Sequence, residues 1–292
     1  MDKPVITQAM IDAYDEYTHL TLDRRGFMER LSKLAGSGAA AAVIVPMLAA
    51  NSAQAAIVAE DDPRLKAEDV SWPGADGEMK GYLVRPADQT NKLGSVIVIH
   101  ENRGLNAHTK DVARRVALEG FDALAVDFLS PLGGTPPDEE KAREMFSQLD
   151  PAKTAANGVA TVTWLKGQDW SNGKVGAVGF CWGGGTVNNL AIASPDLVAG
   201  VAYYGAQPKD AAAIANVKAA LLLHYAGQDE RINAGIDAYK AALTAAGKEF
   251  TVYVYDGAQH AFNNDTSEAR YNKDAAELAW GRTIAFFKEK LA

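Results

Sequence analysis

Only one of the 292 residues is a cysteine. A disulfide within the chain is therefore excluded, and so is a structural zinc site built from several thiolates. Positive charge is also short. Lys and Arg number 29 against 37 Asp and Glu, for a net charge of −8, and the basic residues form no stripe interleaved with aromatics, which excludes a general nucleic-acid binder. No apolar run is long and strong enough for a stable membrane span, because the stretch Leu34 to Ala50 is rich in Ala and Gly and is broken by Pro46. There is no internal repeat, no low-complexity linker, no G-x-x-x-x-G-K-[ST] phosphate loop, no dinucleotide-type glycine motif and no zinc-type ligand spacing. No metal or organic cofactor is expected. What remains, 48% hydrophobic and 23% charged residues, is the composition of an ordinary globular protein.

The first 55 residues read differently from the rest. Arg24 and Arg25 stand in Asp23-Arg24-Arg25-Gly26-Phe27-Met28, followed by the weakly apolar stretch and then by Ala53-Gln54-Ala55. Paired arginines, an apolar run and an A-x-A site read as a twin-arginine export signal, with cleavage after Ala55 and a periplasmic product. The stretch before the arginines is long and acidic, with Asp12, Asp15, Glu16 and Asp23. The competing reading is accordingly a retained N-terminal helical segment that packs on the body or on a partner, in a cytoplasmic protein. Residues 56–292 form one domain on either reading.

Within that domain strands and helices alternate. Strands are predicted at Met79–Arg85, Ser95–His100, Asp122–Asp127, Lys174–Gly179, Leu197–Tyr204, Ala219–Ala226 and Phe250–Tyr255, with helices at Asn106–Glu119, Glu139–Leu149, Ala152–Lys166, after Cys181, at Ile232–Ala246 and at about Ser267–Leu291. Ser95–His100 (SVIVIH) is a continuous β-branched run, the mark of a strand buried on both faces. Alternation of this kind predicts an α/β fold, a mostly parallel sheet with helices on both faces and a site at the C-terminal ends of its strands.

The strongest local signal is Gly179-Phe180-Cys181-Trp182-Gly183-Gly184-Gly185, between a buried strand and a helix. It is the G-x-nucleophile-x-G turn with Cys in the usual place of Ser. A nucleophile on such a turn is lifted above the sheet, and the flanking glycines remove side chains that would collide. The helix that follows points its N-terminus at the sulfur, and the Trp182 N–H can donate to a developing oxyanion. A glycine-rich turn around an inert buried Cys is the bland alternative.

A thiol nucleophile needs a base and a group that orients it, and this fold supplies them in the order nucleophile, acid, histidine. Asp229 stands at the end of the strand Ala219–Ala226, although it would serve equally as a helix cap, and Glu230 is its neighbour. His260 stands in the loop after Phe250–Tyr255. The other histidines are weaker candidates: His19 lies in the signal region, His224 inside a strand, His108 early in a helix and His100 at a strand end.

These segments resemble the dienelactone hydrolases (carboxymethylenebutenolidases), α/β-hydrolases, from about Glu78 onward. The resemblance rests on the Cys turn, on Gly227-Gln228-Asp229-Glu230, on His260-Ala261-Phe262 and on Ile99-His100-Glu101-Asn102-Arg103-Gly104-Leu105-Asn106. It implies a Cys181–His260–Asp229 triad, Glu101 beside the thiol, an oxyanion hole from the N–H groups of Trp182 and Asn102, and hydrolysis of a small ester or lactone through an acyl-enzyme. The family's two carboxylate-binding arginines are not where the resemblance places them: this chain has Leu129-Ser130-Pro131 and Asn263-Asn264 there. Arg103 is the candidate replacement for substrate binding. Other readings are a thioesterase or general acyl esterase on the same fold, a non-catalytic thiol-sensing scaffold, and an N-terminal segment that serves oligomer assembly. The sequence leaves the oligomeric state open.

Overall fold

The computed structural model describes residues 4–19, 21–49 and 56–292. Its centre is one sheet of eight strands in the order β1-β2-β4-β3-β5-β6-β7-β8, in which β1 is Leu65–Gly74, β2 Gly77–Pro86, β3 Leu93–Ile99, β4 Asp122–Asp127, β5 Ser171–Phe180, β6 Leu197–Tyr203, β7 Ala220–Ala226 and β8 Phe250–Tyr255. The β1–β2 and β2–β4 pairs are antiparallel, and every other pair is parallel.

Strand burial follows the pleat. In β3, Val96 and Val98 enter the core on one face of the sheet while Ile97 and Ile99 enter the core on the other; in β4, Ala123 and Ala125 alternate likewise with Leu124 and Val126. A strand covered on both sides has no polar face to show, which is why both read as unbroken apolar runs. The first core is closed by helices α4 (Ala107–Leu118) and α10 (Lys273–Leu291), the second by α6 (Pro151–Lys166), α7 (Trp182–Ala193) and α9 (Ile236–Ala245). Two short helices, α5 (Glu139–Met145) and α8 (Glu230–Asn233), flank the C-terminal edge of the sheet.

Strand β1 is the element the sequence did not announce. It pairs with β2 alone and carries a mostly exposed run with Pro73 in it, a composition that an edge strand tolerates. Its anchor is Trp72, buried against Trp164 and donating its indole N–H to Thr161 Oγ1 at 3.1 Å.

The N-terminal segment forms three helices, α1 (Gln8–Thr18), α2 (Arg24–Ala35) and α3 (Gly38–Leu48). Asp23 caps α2 by accepting from the Gly26 N–H at 2.7 Å, so Arg24 and Arg25 open a helix and lie exposed. Met10, Tyr14, Tyr17, Phe27, Leu31 and Ile44 belong to a separate apolar cluster. Among the described residues no single helix is long and apolar enough to cross a membrane. The A-x-A site, Ala53-Gln54-Ala55, lies outside the described residues.

The body takes hold of the chain just beyond that site. Asp111 of α4 accepts from the Val58 N–H at 2.8 Å, and Arg114 donates to the Val58 carbonyl at 2.8 Å. Both side chains are almost wholly buried, and Asp111 also pairs with Arg114 and Arg115. Removing the carboxylate strands the Arg114 charge in the interior. Asp111→Ala is expected to destabilise the fold by about 3–5 kcal/mol, read as a lower denaturation midpoint with an unchanged m-value.

Candidate active site

The turn from β5 into α7 places Cys181 where the sequence predicts it. Its φ is +54°, in the left-handed region that a non-glycine residue enters only under constraint. The constraint is backbone packing. A Cβ on Gly179 would lie 2.2 Å from the Gly183 carbonyl oxygen, and one on Gly183 would lie 2.5 Å from the carbonyl oxygens of Ile99 and His100. With both side chains absent, β3, β5 and the first turn of α7 close onto one another and Cys181 is raised at the edge of the sheet. Trp182 is the first residue of α7, so its N–H has no partner within the helix.

Asp229 follows the end of β7 and His260 follows β8. His260 Nδ1 donates to Asp229 Oδ2 at 2.5 Å, and both side chains are buried. Asp229 Oδ1 meanwhile accepts from the Ile232 N–H at 3.2 Å, so one carboxylate caps α8 and orients the imidazole. Glu230, the neighbouring alternative, is exposed. Burial works against a charge on His260, but Asp229 and the thiol outweigh it and hold the imidazole well above its usual range. With Nδ1–H committed to Asp229, Nε2 is the ring position left to exchange a proton with the sulfur; it is buried without a hydrogen bond of its own.

Cys181 Sγ has a partner that the sequence reading set aside. His19, from the turn after α1, places Nε2 at 3.2 Å from Sγ. Its own Nδ1 donates to the Asp15 carbonyl at 2.6 Å, and Arg231 Nη2 lies 3.0 Å from Nε2. The amphipathic spacing of Met10, Ile11, Tyr14 and Tyr17 was the available sign that this stretch folds as a helix with a buried face. Burial alone would raise the thiol pKa, but His19 and His260 beside it bring it down to about 6. Among the described residues, His19, Cys181 and His260 are also the set that could hold a metal ion, their donor atoms lying within 4.8 Å of one another.

The remaining predicted residues stand around this centre. Glu101 shares a small crevice with Cys181 and His260, but its Oε2 accepts from Asn264 Nδ2 at 3.1 Å. Asn102 donates its side-chain amide to the Thr18 carbonyl at 2.5 Å. Arg103 is turned to Glu139 and the Tyr14 hydroxyl and does not line the main cavity. The other histidines are structural. His100 is buried against Trp182 and accepts from the Phe128 N–H, His224 bonds Tyr255 and Thr283, and His108 pairs with Asp265.

A cavity of about 460 Å³ opens beside the thiol, within the usual range for a small-molecule site. Its charged lining is Arg143, Lys209 and Arg231, with no carboxylate side chain. None of these three had a local sequence signature: Lys209 and Arg231 are exposed, and buried Arg143 reads in the sequence like a solvated arginine.

The sequence profile of the dienelactone hydrolase family matches residues 79–291. A curated relative from Methylorubrum extorquens named "Putative carboxymethylenebutenolidase" is 32% identical over 246 residues, 80% of this chain and 84% of the relative. A "Putative hydrolase fragment YghX" from Escherichia coli is 46% identical over 113 residues, 38% of this chain and 97% of the fragment. Among solved structures, a "Putative Dienelactone Hydrolase" from Klebsiella pneumoniae superposes with a TM-score of 0.68 at 28% identity, covering 77% of this chain and 98% of that one.

The thiol makes its own prediction. It is an acid whose pKa is lowered, so thiolate forms as the pH rises through about 6, well below the ~8.5 of a free cysteine. The rate of iodoacetamide uptake by the native protein is expected to climb with a midpoint near the lower value, and unfolding in denaturant should return the midpoint to the higher one.

Proposed function

The chain belongs to the dienelactone hydrolase family of carboxylic ester and lactone hydrolases, and from that premise we propose that it works through a Cys181–His260–Asp229 triad and an acyl-enzyme. The observation that carries the reading is the oriented imidazole. His260 is fixed by Asp229 at 2.5 Å with a bare Nε2 in the same buried space as a thiol raised on a strained turn, the arrangement that nucleophilic catalysis requires.

In this mechanism Cys181 attacks as the thiolate, its proton held by His260 Nε2, and Sγ bonds to the acyl carbon. The carbonyl oxygen becomes an oxyanion beside the N–H groups of Trp182 and Asn102. The C–O bond then breaks, and the leaving oxygen takes the proton back from His260. With an ester the alcohol departs; with a lactone it stays attached and the ring opens. His260 next removes a proton from water, which attacks the thioester and restores the thiol. Glu101 stands ready to act on the thiol from the crevice it shares with Cys181 and His260.

The cavity supports a substrate that carries negative charge, since Arg143, Lys209 and Arg231 line it without a carboxylate among them. This replaces Arg103 as the proposed anchor for the substrate. Paired exposed arginines, Arg24 and Arg25, followed by an apolar stretch and an A-x-A site, support twin-arginine export to the periplasm as the further part of the proposal.

Hydrolysis of p-nitrophenyl acetate and of a dienelactone tests the mechanism. Cys181→Ala and His260→Ala should each lower kcat/KM by roughly a thousandfold or more, and full activity in either variant would remove that residue from the mechanism. Arg143→Ala should raise KM for an anionic ester several-fold more than for a neutral ester of the same size. Replacing Arg24 and Arg25 by lysine should leave the protein in the cytoplasmic fraction of the expressing bacterium; unchanged periplasmic recovery would discard the export reading.

A further inference from the structure

The N-terminal segment meets the catalytic machinery donor by donor. Cys181 Sγ lies 3.2 Å from His19 Nε2, while His260 Nε2, buried within 4.8 Å of the same sulfur, makes no well-aligned hydrogen bond. The Asn102 amide, beside the proposed oxyanion hole, is taken by the Thr18 carbonyl. Buried Arg143 donates to the Tyr17 carbonyl at 2.7 Å and stacks on the Tyr17 ring, and buried Arg270 reaches Asp15 Oδ1 at 3.3 Å. Carbonyl and carboxylate oxygens of the segment thus sit on donors that an anionic acyl substrate would use.

The way the segment is held is equally informative. The buried members of its apolar cluster come from α1, α2 and α3, and Ala269 is the body's contribution to the half-buried side chains around it. The three helices support one another and grip the body chiefly through polar contacts. An interface of that kind releases at small apolar cost.

We propose that residues 8–19 are an active-site latch, in which His19 holds the Cys181 sulfur in a resting hydrogen bond and the site becomes competent when the segment moves off. On release the thiol turns to His260 Nε2, and Asn102, Arg143 and Arg270 are freed to meet substrate. Cleavage after Ala55, in the proposed export, removes the latch together with the signal. The proposal rests on the triad reading for its meaning, but its geometry is tested without hydrolysis.

Cys181 is the one cysteine in the chain, so iodoacetamide uptake reports on this sulfur alone. The rate measured against pH in the full chain yields a plateau, which reads access, and a midpoint, which reads ionisation. Two variants loosen the latch: His19→Ala at the sulfur, and Leu31→Asp, which breaks the helical cluster at a wholly buried position outside the active site. Both should raise the plateau at least tenfold and move the midpoint upward, with kcat/KM for p-nitrophenyl acetate rising alongside the plateau. Thermal unfolding of the body reports that the sheet is intact. A plateau unchanged in both variants overturns the latch, as does a tenfold fall in kcat/KM in both with the body still folded, which would make the segment a permanent wall of the site. A raised plateau without ester hydrolysis in any form would support the latch and reject the triad mechanism.

Discussion

Backbone lies directly on backbone beneath Cys181, and the site depends on that contact. Neither Gly179 nor Gly183 can carry a Cβ, because the carbonyls of Gly183, Ile99 and His100 already occupy the space. This lets β3, β5 and α7 converge at a single point and leaves Cys181 at φ +54°. Since β3, β5, β7 and β8 run parallel, their C-terminal ends emerge on one edge. Glu101 and Asn102, Cys181, Asp229 and His260 then come together although they are scattered over 160 positions of sequence. The sheet sets the approximate place, and the Asp229–His260 hydrogen bond sets the direction in which the imidazole faces.

A second constraint is electrostatic. Arg103, Arg143 and Arg270 are each nearly buried close to this edge. A guanidinium cannot be withdrawn from water without oxygen partners. Glu139 and Glu140 satisfy part of two of them, and Tyr14, Asp15 and the Tyr17 carbonyl add further partners, leaving Arg143 Nε buried without one. The body is therefore built to hold an oxygen-rich partner at the mouth of the site. The N-terminal segment fills that role in this structure, and of the three only Arg143 lines the cavity beside the thiol.

The parts of this arrangement written locally in the chain were legible in it. Strands β4 and β8 match their predicted limits residue for residue, because a run buried on both faces, or one bounded by Asp and Gly, leaves little ambiguity. The convergence of Cys181, Asp229 and His260 was legible because each stands just beyond a strand end on the same edge of the sheet. Strand β1 was not, since an edge strand with one covered partner keeps polar residues and even a proline. Nor were Arg143 and Arg270, whose buried placement comes from tertiary packing alone. His19 was hidden for a different reason. The arginine pair and the Ala-rich stretch fit a signal well enough to mask the helical stripe of Met10, Tyr14 and Tyr17.

The chemistry of the thiol explains why such a site benefits from cover. A pKa near 6 keeps Cys181 as thiolate at neutral pH, the form that attacks acyl carbon and also the form that oxidants attack. In many thiol proteins a second cysteine rescues the sulfenic acid as a disulfide. This chain has no second cysteine, so an oxidised Cys181 has no resolving partner within it and is open to irreversible oxidation. Raising the pKa would lessen the hazard but would also deplete the nucleophile. In the proposed latch, His19 over the site keeps the thiolate stabilised by a neighbouring imidazole while limiting access to the sulfur. The low pKa and the covering segment are then two halves of one solution, since the residue that covers the sulfur is also one of the two that lower its pKa.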